Sequence, residues 1–319
     1  MSTPFVRTVL GDVDPGSLGV VDYHDHLFQI TDLLPGDELD DEVRSSEEAA
    51  DLVDTGVSCL VEATPMGLGA EPFAVARIAR ARGLHVVHTT GVHREAHYRS
   101  RPDITSLSTA WMAERFRTDL TAGFTPEPPL AAGETGGVRA GLIKFGIGYW
   151  SLTPFERRAL EAVGSTSREV GAPVMVHLEY GTATHEVLDL LESHGCPPER
   201  VALAHIDRNP DPGLHCELAA RGAYLGYDGC ARTKSWPDSV LIDCMARVVD
   251  GGGGSSILLG GDVARSTRYL AYGGMPGLAY TYRRFLPRVR AVVGDDAATA
   301  MTITNPARWL TWSLGEDQL

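Results

Sequence analysis

Two histidines one residue apart, a lysine inside an apolar run, and two more histidines and an aspartate that each close an apolar stretch are the residues best suited to chemistry here. The first pair, His24 and His26, ends the stretch Val20-Val21-Asp22-Tyr23-His24-Asp25-His26. In an extended strand, residues i and i+2 project to the same face, so the two imidazoles can stand side by side. That arrangement suits a metal clamp; it also suits two hydrogen-bonded histidines at a strand end. A catalytic metal needs roughly three or more protein groups and an open position for water. Lys144, His177, His205 and Asp262 are the further candidates.

The elements that would carry them read as a repeating strand and helix pattern. Apolar runs at Val20–His26, Val57–Ala63, His85–Gly91, Leu142–Gly148, Pro173–Leu178, Val201–Ile206, Ala223–Asp228 and Ile257–Asp262 predict eight strands. Helical spacing falls between them, over Glu47–Thr55, Pro72–Arg82, Thr153–Val170 and Thr184–His194. The alternation predicts an α/β chain folded as a parallel (β/α)8 barrel, a TIM barrel, in one domain over residues 1–319. Residues 4–19 predict a short hairpin before the first barrel strand, turning around Gly11-Asp12-Val13-Asp14-Pro15-Gly16. On this map the six candidates point toward one rim, the carboxyl-terminal face on which such barrels build their sites.

Long loops are expected at that face. Residues 92–140 form an insertion after the third strand, with a helix at Thr109–Leu120 and a Pro/Gly-rich tail to Gly137; Val263–Gly277 is a second long loop, after the eighth. Both are expected to wall the pocket.

Composition bounds the function classes. The chain has 319 residues, 43% hydrophobic and 22% charged, as in a globular protein. A formal charge of −14 argues against nucleic-acid and anionic-membrane partners. No signal-peptide pattern or membrane-length apolar run is visible, so a cytoplasmic location is expected. The five cysteines contain no Cys-x-x-Cys, which speaks against a disulfide framework or a zinc ribbon.

The pattern His24-x-His26, Lys144, His177, His205 and Asp262, with Thr304-Asn305-Pro306-Ala307-Arg308 near the end, resembles the phosphotriesterase family of the amidohydrolase superfamily over nearly the whole chain. The resemblance implies two divalent metals, zinc first and manganese, cobalt or iron(II) as alternatives. His24, His26 and Asp262 would hold the buried metal, and His177 and His205 the exposed one. Lys144, carboxylated on its amine, would bridge the two together with a hydroxide. A buried ammonium facing two divalent cations is electrostatically untenable, and a carbamate supplies the anion. Lys144 and Asp262 are then the catalytic candidates, Asp262 as acceptor of the hydroxide's proton. The resemblance also suggests a homodimer.

These expectations amount to a zinc-dependent hydrolase of a small, anionic lactone or ester, with phosphotriester hydrolysis as a side activity. An amidase acting on a small N-acyl compound and a non-catalytic ligand-binding barrel are the alternatives. The acyl-homoserine lactonase branch carries a tyrosine and an arginine where this chain resembles it with His93 and Gly229. Basic residues in the loops, Lys234, Arg265 and Arg268, could gather around an anionic substrate group, and His93, Lys234 and Arg265 are the substrate-binding candidates. His97 and Trp236 are further candidates for the pocket wall, and Asp207 and Asp228 for orienting ligand histidines or water.

Overall fold

The barrel closes at the backbone of two candidate ligands. The computed structural model describes residues 4–125 and 137–312. Eight parallel strands run in chain order around the barrel: β3 (Val20–Asp25), β4 (Val57–Glu62), β5 (His85–Gly91), β6 (Leu142–Ile147), β7 (Val174–Leu178), β8 (Val201–Ala204), β9 (Tyr224–Tyr227) and β10 (Ile257–Leu259). Across the seam between last and first, the Asp262 N–H donates to the His24 carbonyl (2.8 Å). The TIM barrel follows the predicted order strand by strand.

An antiparallel hairpin, β1 (Val6–Thr8) and β2 (Gly11–Val13), precedes the barrel. Its turn is at Val9-Leu10, tighter and earlier than the turn signals suggested. Thr8 makes it, since its hydroxyl donates to the Gly11 carbonyl (2.7 Å) and accepts from the Leu10 N–H (3.2 Å). The Asp14-Pro15-Gly16 signal instead starts a 3-10 turn at Pro15–Ser17, capped when Asp14 accepts the Gly16 N–H (2.8 Å).

Alternate residues fill the barrel interior, as pleating requires. Val21 and Tyr23, Cys59 and Val61, Leu142, Met175, Ala202, Tyr224 and Leu258 form one inner cluster, plugged from below by Trp309 and Leu310. Tyr23 fits because Gly226 opposite has no side chain; a Cβ there would lie 2.0 Å from the Tyr23 hydroxyl. Residues of opposite parity, such as Val174 and Val176, pack outward against the helices.

Helices surround the sheet. The helix over Pro154–Val170 starts with a capping box, Thr153 accepting from the Glu156 N–H and Glu156 accepting from the Thr153 N–H, and stops at Gly171 in the left-handed conformation. Phe155, Ala159, Leu160, Ala162 and Val163 form its buried stripe. The same Glu156 accepts the Glu95 N–H (2.9 Å), which ties the loop after β5 to this helix. The loop contains a 3-10 turn at Glu95–Tyr98 and the expected helix, seen at Thr109–Thr121. The expected tail runs through residues 126–136, outside the described residues. No helix among the described residues is long and apolar enough to cross a membrane.

Candidate metal centre and active site

Strand ends deliver the candidate ligands to one place by three local devices. In β3 the register shifts between Asp22 and Asp25, one extra residue standing against β4. This bulge lets the neighbours Tyr23 and His24 both reach Asp228. β8 and β10 end earlier than the apolar runs suggested, because the chain turns left-handed at His205 (φ 65°) and Asp262 (φ 44°). Asp262 thereby sits with its Oδ1 3.5 Å from Nε2 of both His24 and His26. Lys144 projects from β6, fully buried, with Nζ 3.0 Å from His24 Nε2.

His177 is the last residue but one of β7, and its ring centroid lies 4.6 Å from that of His205, which in turn lies 5.0 Å from that of His24. Ligand atoms of His24, His205 and Asp262 all fall within 4.8 Å of one another. The six residues singled out in the sequence therefore line a single basin.

Hydrogen bonds decide whether these donors suit a metal, which needs neutral imidazoles with a free lone pair. Asp228 Oδ1 lies 2.7 Å from His205 Nδ1, and its Oδ2 3.2 Å from His24 Nδ1. A buried carboxylate only accepts, so both rings carry their hydrogen on Nδ1 and leave Nε2 bare. His26 Nδ1 lies 2.7 Å from Thr64 Oγ1, whose own proton goes to the Phe28 carbonyl (2.6 Å). That ring is also protonated on Nδ1. His177 is reversed, with Nε2 3.3 Å from Glu179 Oε2, which leaves Nδ1 as its acceptor. Burial pushes His24 down to about 4 and His26 to about 3, and lowers His205 and His177, so all four are neutral near pH 7. The donor set fits divalent metals.

Burial pushes the Lys144 amine down to about 8, against the raising effect of Asp262. Burial opposes ionisation of Asp262, but Arg232 first, then the histidines, hold it well below the usual carboxylate range. Arg208 donates to Asp262 Oδ2 (3.1 Å), and Arg232 donates to the same oxygen and to the Asp262 carbonyl.

The basin opens into a cavity of about 530 Å³. His93 and Arg265 line it, as does His97; Lys234 is exposed and lies outside the lining, while Arg232, two residues earlier in the same loop, lies within it. Trp236 is also outside the lining, its indole donating to the Arg208 carbonyl (3.2 Å). Asp207 accepts the Gly229 N–H (2.7 Å) and thus shapes the loop after β9, whereas Asp228 holds the histidines.

Five arginines line the cavity of this acidic protein: Arg94, Arg208, Arg232, Arg265 and Arg268. Arg94 pairs with Glu179 (3.0 Å) and Arg265 with Asp37 (3.5 Å). Arg268 makes no ion pair or side-chain hydrogen bond among the described residues, and burial, then Arg232, lowers its pKa. Arg208, Arg232, Thr64 and Glu179 were not found from sequence. Arg232 lies two residues from Lys234, the basic residue that the sequence offered in that loop.

The chain is similar to known proteins over nearly its whole length. The sequence model of the phosphotriesterase family matches residues 4–310. A phospho-furanose lactonase of Mycoplasmopsis agalactiae is 31% identical, the alignment covering 97% of this chain and 92% of that one. Its counterpart in Mycoplasmopsis synoviae is 29% identical, over 98% and 93%. The crystal structure of a lactonase from Listeria monocytogenes superposes with a TM-score of 0.89 at 30% identity, covering 97% of this chain and 99% of the other.

Proposed function

The chain belongs to the phosphotriesterase family, and on that footing we propose that it is a metal-dependent hydrolase that opens a small lactone bearing a phosphate or a similar anionic group. The observation that carries the substrate class is the arginine-lined cavity, with Arg268 unpaired among the described residues beside the ligand basin. The relatives named as phospho-furanose lactonases support the same class.

His24, His26 and Asp262 would hold one divalent metal, zinc in the first instance, and His177 and His205 a second, with Lys144 between them. When bound, such metals acidify water and polarise an acyl oxygen. The protein's own residues do the rest. Asp228, Thr64 and Glu179 keep the lone pair of each ligand imidazole free. Lys144, with its pKa near 8, has on the order of a tenth of its amine neutral at pH 7. The neutral amine is the form that adds carbon dioxide to become a carbamate. Asp262, ionised and gripped by two guanidiniums, accepts the proton that must travel from the attacking water to the leaving oxygen. Because Arg208 and Arg232 weaken its basicity, the proton would pass through quickly rather than stay.

Arg268 and Arg265 would receive the anionic group. A hydrogen bond to a charged partner contributes about 1.5–3 kcal/mol, so Arg268→Met should raise KM for a phosphorylated furanolactone about tenfold to a hundredfold. The same substitution should leave KM for the unphosphorylated lactone within about twofold. The test is a panel of lactones with and without phosphate, N-acyl amino acids and a phosphotriester, run on wild type and Arg268→Met after metal analysis. Equal losses on charged and neutral lactones would refute the assignment of the anion site.

A further inference from the structure

Two histidines in the cavity, His93 and His177, are wired in the opposite sense to His24, His26 and His205, and of the two His177 already spends its Nε2–H on Glu179. His93 leaves the end of β5, and its backbone N–H donates to the Tyr98 hydroxyl (2.9 Å), which donates in turn to the Met66 carbonyl (2.8 Å). The Arg94 backbone N–H donates to His93 Nδ1 (2.8 Å). An amide N–H can only donate, so Nδ1 is bare and the ring's hydrogen is on Nε2. In His24, His26 and His205 it is Nε2 that is bare. His93 therefore presents a donor where those residues present lone pairs.

Its surroundings keep the ring in place. The His93 ring lies 4.3 Å from that of His177 and 4.0 Å from that of His97, and the residue is only 5% exposed. The turn can lie this close to β6 because residue 146 is glycine; a Cβ there would stand 2.8 Å from the Arg94 nitrogen and 3.0 Å from His93 Nδ1. Among the described residues no hydrogen bond engages Nε2, and His93 lines the cavity. A donor that faces the cavity with no acceptor among the described residues, one ring away from a candidate ligand, is arranged for an acceptor that arrives from outside.

We propose that His93 is a catalytic residue that donates a hydrogen bond through Nε2–H to the acyl oxygen of the substrate as negative charge develops on it. The role rests on the hydrolase reading above. His93 keeps its proton throughout: its fixed neutral form makes it a preorganised electrophile, and no bond to hydrogen is broken. The seat beside His177 places it over the edge of the basin formed by His177 and His205.

The test has two arms. Nitrogen-15 NMR of the histidine rings in the full-chain protein, with His93 assigned by its loss in His93→Phe, should show Nε2 protonated and Nδ1 bare. A proton on Nδ1 would overturn the proposal. This arm needs no turnover, so it stands apart from any failure to hydrolyse lactones. In the second arm, the best substrate of the panel is assayed with His93→Phe and His93→Gln, the latter keeping an N–H near the position of Nε2. Phe should lower kcat about a hundredfold with KM changed less than about threefold, and Gln should recover about tenfold of that loss. Metal content should stay at the wild-type level in both. Unchanged kcat in His93→Phe, equal loss in both variants, or loss of metal in step with activity would each assign His93 to supporting His177 and end the donor role.

Discussion

Replacing Asp228 by asparagine should remove about one of the two proposed metals, and the geometry says which. Oδ2 of Asp228 accepts from three donors: the Tyr23 hydroxyl, His24 Nδ1 (3.2 Å) and the His205 backbone N–H (3.2 Å). Oδ1 accepts from one, His205 Nδ1 (2.7 Å). An amide has a single acceptor oxygen, so in Asp228→Asn that oxygen takes the place of Oδ2 and keeps three bonds, while the NH2 faces His205. Two donors cannot share a hydrogen bond. His205 would have to expose a bare Nδ1 and move its proton to Nε2, the atom that faces the basin. His24 would keep its ligand form. Loss of the carboxylate that orients a ligand histidine weakens metal binding by about ten- to a hundredfold, and here that penalty falls on the position shared by His177 and His205. Competition against a chelator of known affinity, read with metal analysis, should show one metal retained near wild-type affinity and the other weakened. Two metals held as tightly as in wild type would sink the argument from ring tautomers. Equal weakening of both would show that the amide does not choose the orientation argued here.

Two further outcomes follow from buried histidines. Thr64→Val removes the oxygen that accepts from His26 Nδ1 while keeping the shape, and should weaken the metal held with His24 and Asp262 about tenfold; Thr64→Ser should restore it, and equal affinities in all three proteins would discount Thr64. His88 is buried on β5, with Nδ1 at the Thr89 carbonyl (2.8 Å) and no partner for Nε2 among the described residues, and burial pushes its pKa down to about 4 from 6.5. A base with a depressed folded pKa contributes stability that is complete above about pH 6.5 and is lost as pH falls toward 4. Between pH 7 and pH 5 its share is about 2 kcal/mol, so His88→Met should lose that much less stability than wild type in urea unfolding at the two pH values. Parallel losses would show that His88 protonates without penalty.

Much of the fold could be read from the chain because a barrel strand is a short apolar run with a helix after it. The six candidate ligands stood out since each is a polar residue closing or interrupting such a run. Lys234 and Arg232 show where this reading stops. They lie two residues apart in one loop with no periodicity, where the Ser235 N–H closes a turn on the Arg232 carbonyl (2.9 Å); Arg232 lines the cavity and Lys234 is exposed. Asp228 was noted as an orienting residue, but its service to two histidines from different strands depends on the bulge in β3, which the apolar pattern does not reveal. The hairpin turn was misplaced because Asp-Pro-Gly is a stronger local signal than a threonine side chain closing a two-residue turn.

The left-handed turns at His205 and Asp262 set the evolutionary terms on which this site is kept. Among the described residues only six other than glycine have positive φ, and two of them are candidate metal ligands. Such a conformation costs a non-glycine residue on the order of 1–3 kcal/mol, a strain that glycine would relieve. At both positions, selection for a sturdier fold and selection for a loaded site pull toward different residues. A descendant released from its metal would keep only the structural reasons for these residues, the bond of His205 to Asp228 and those of Asp262 to Arg208 and Arg232, so at both positions the backbone strain would then be weighed against hydrogen bonds alone.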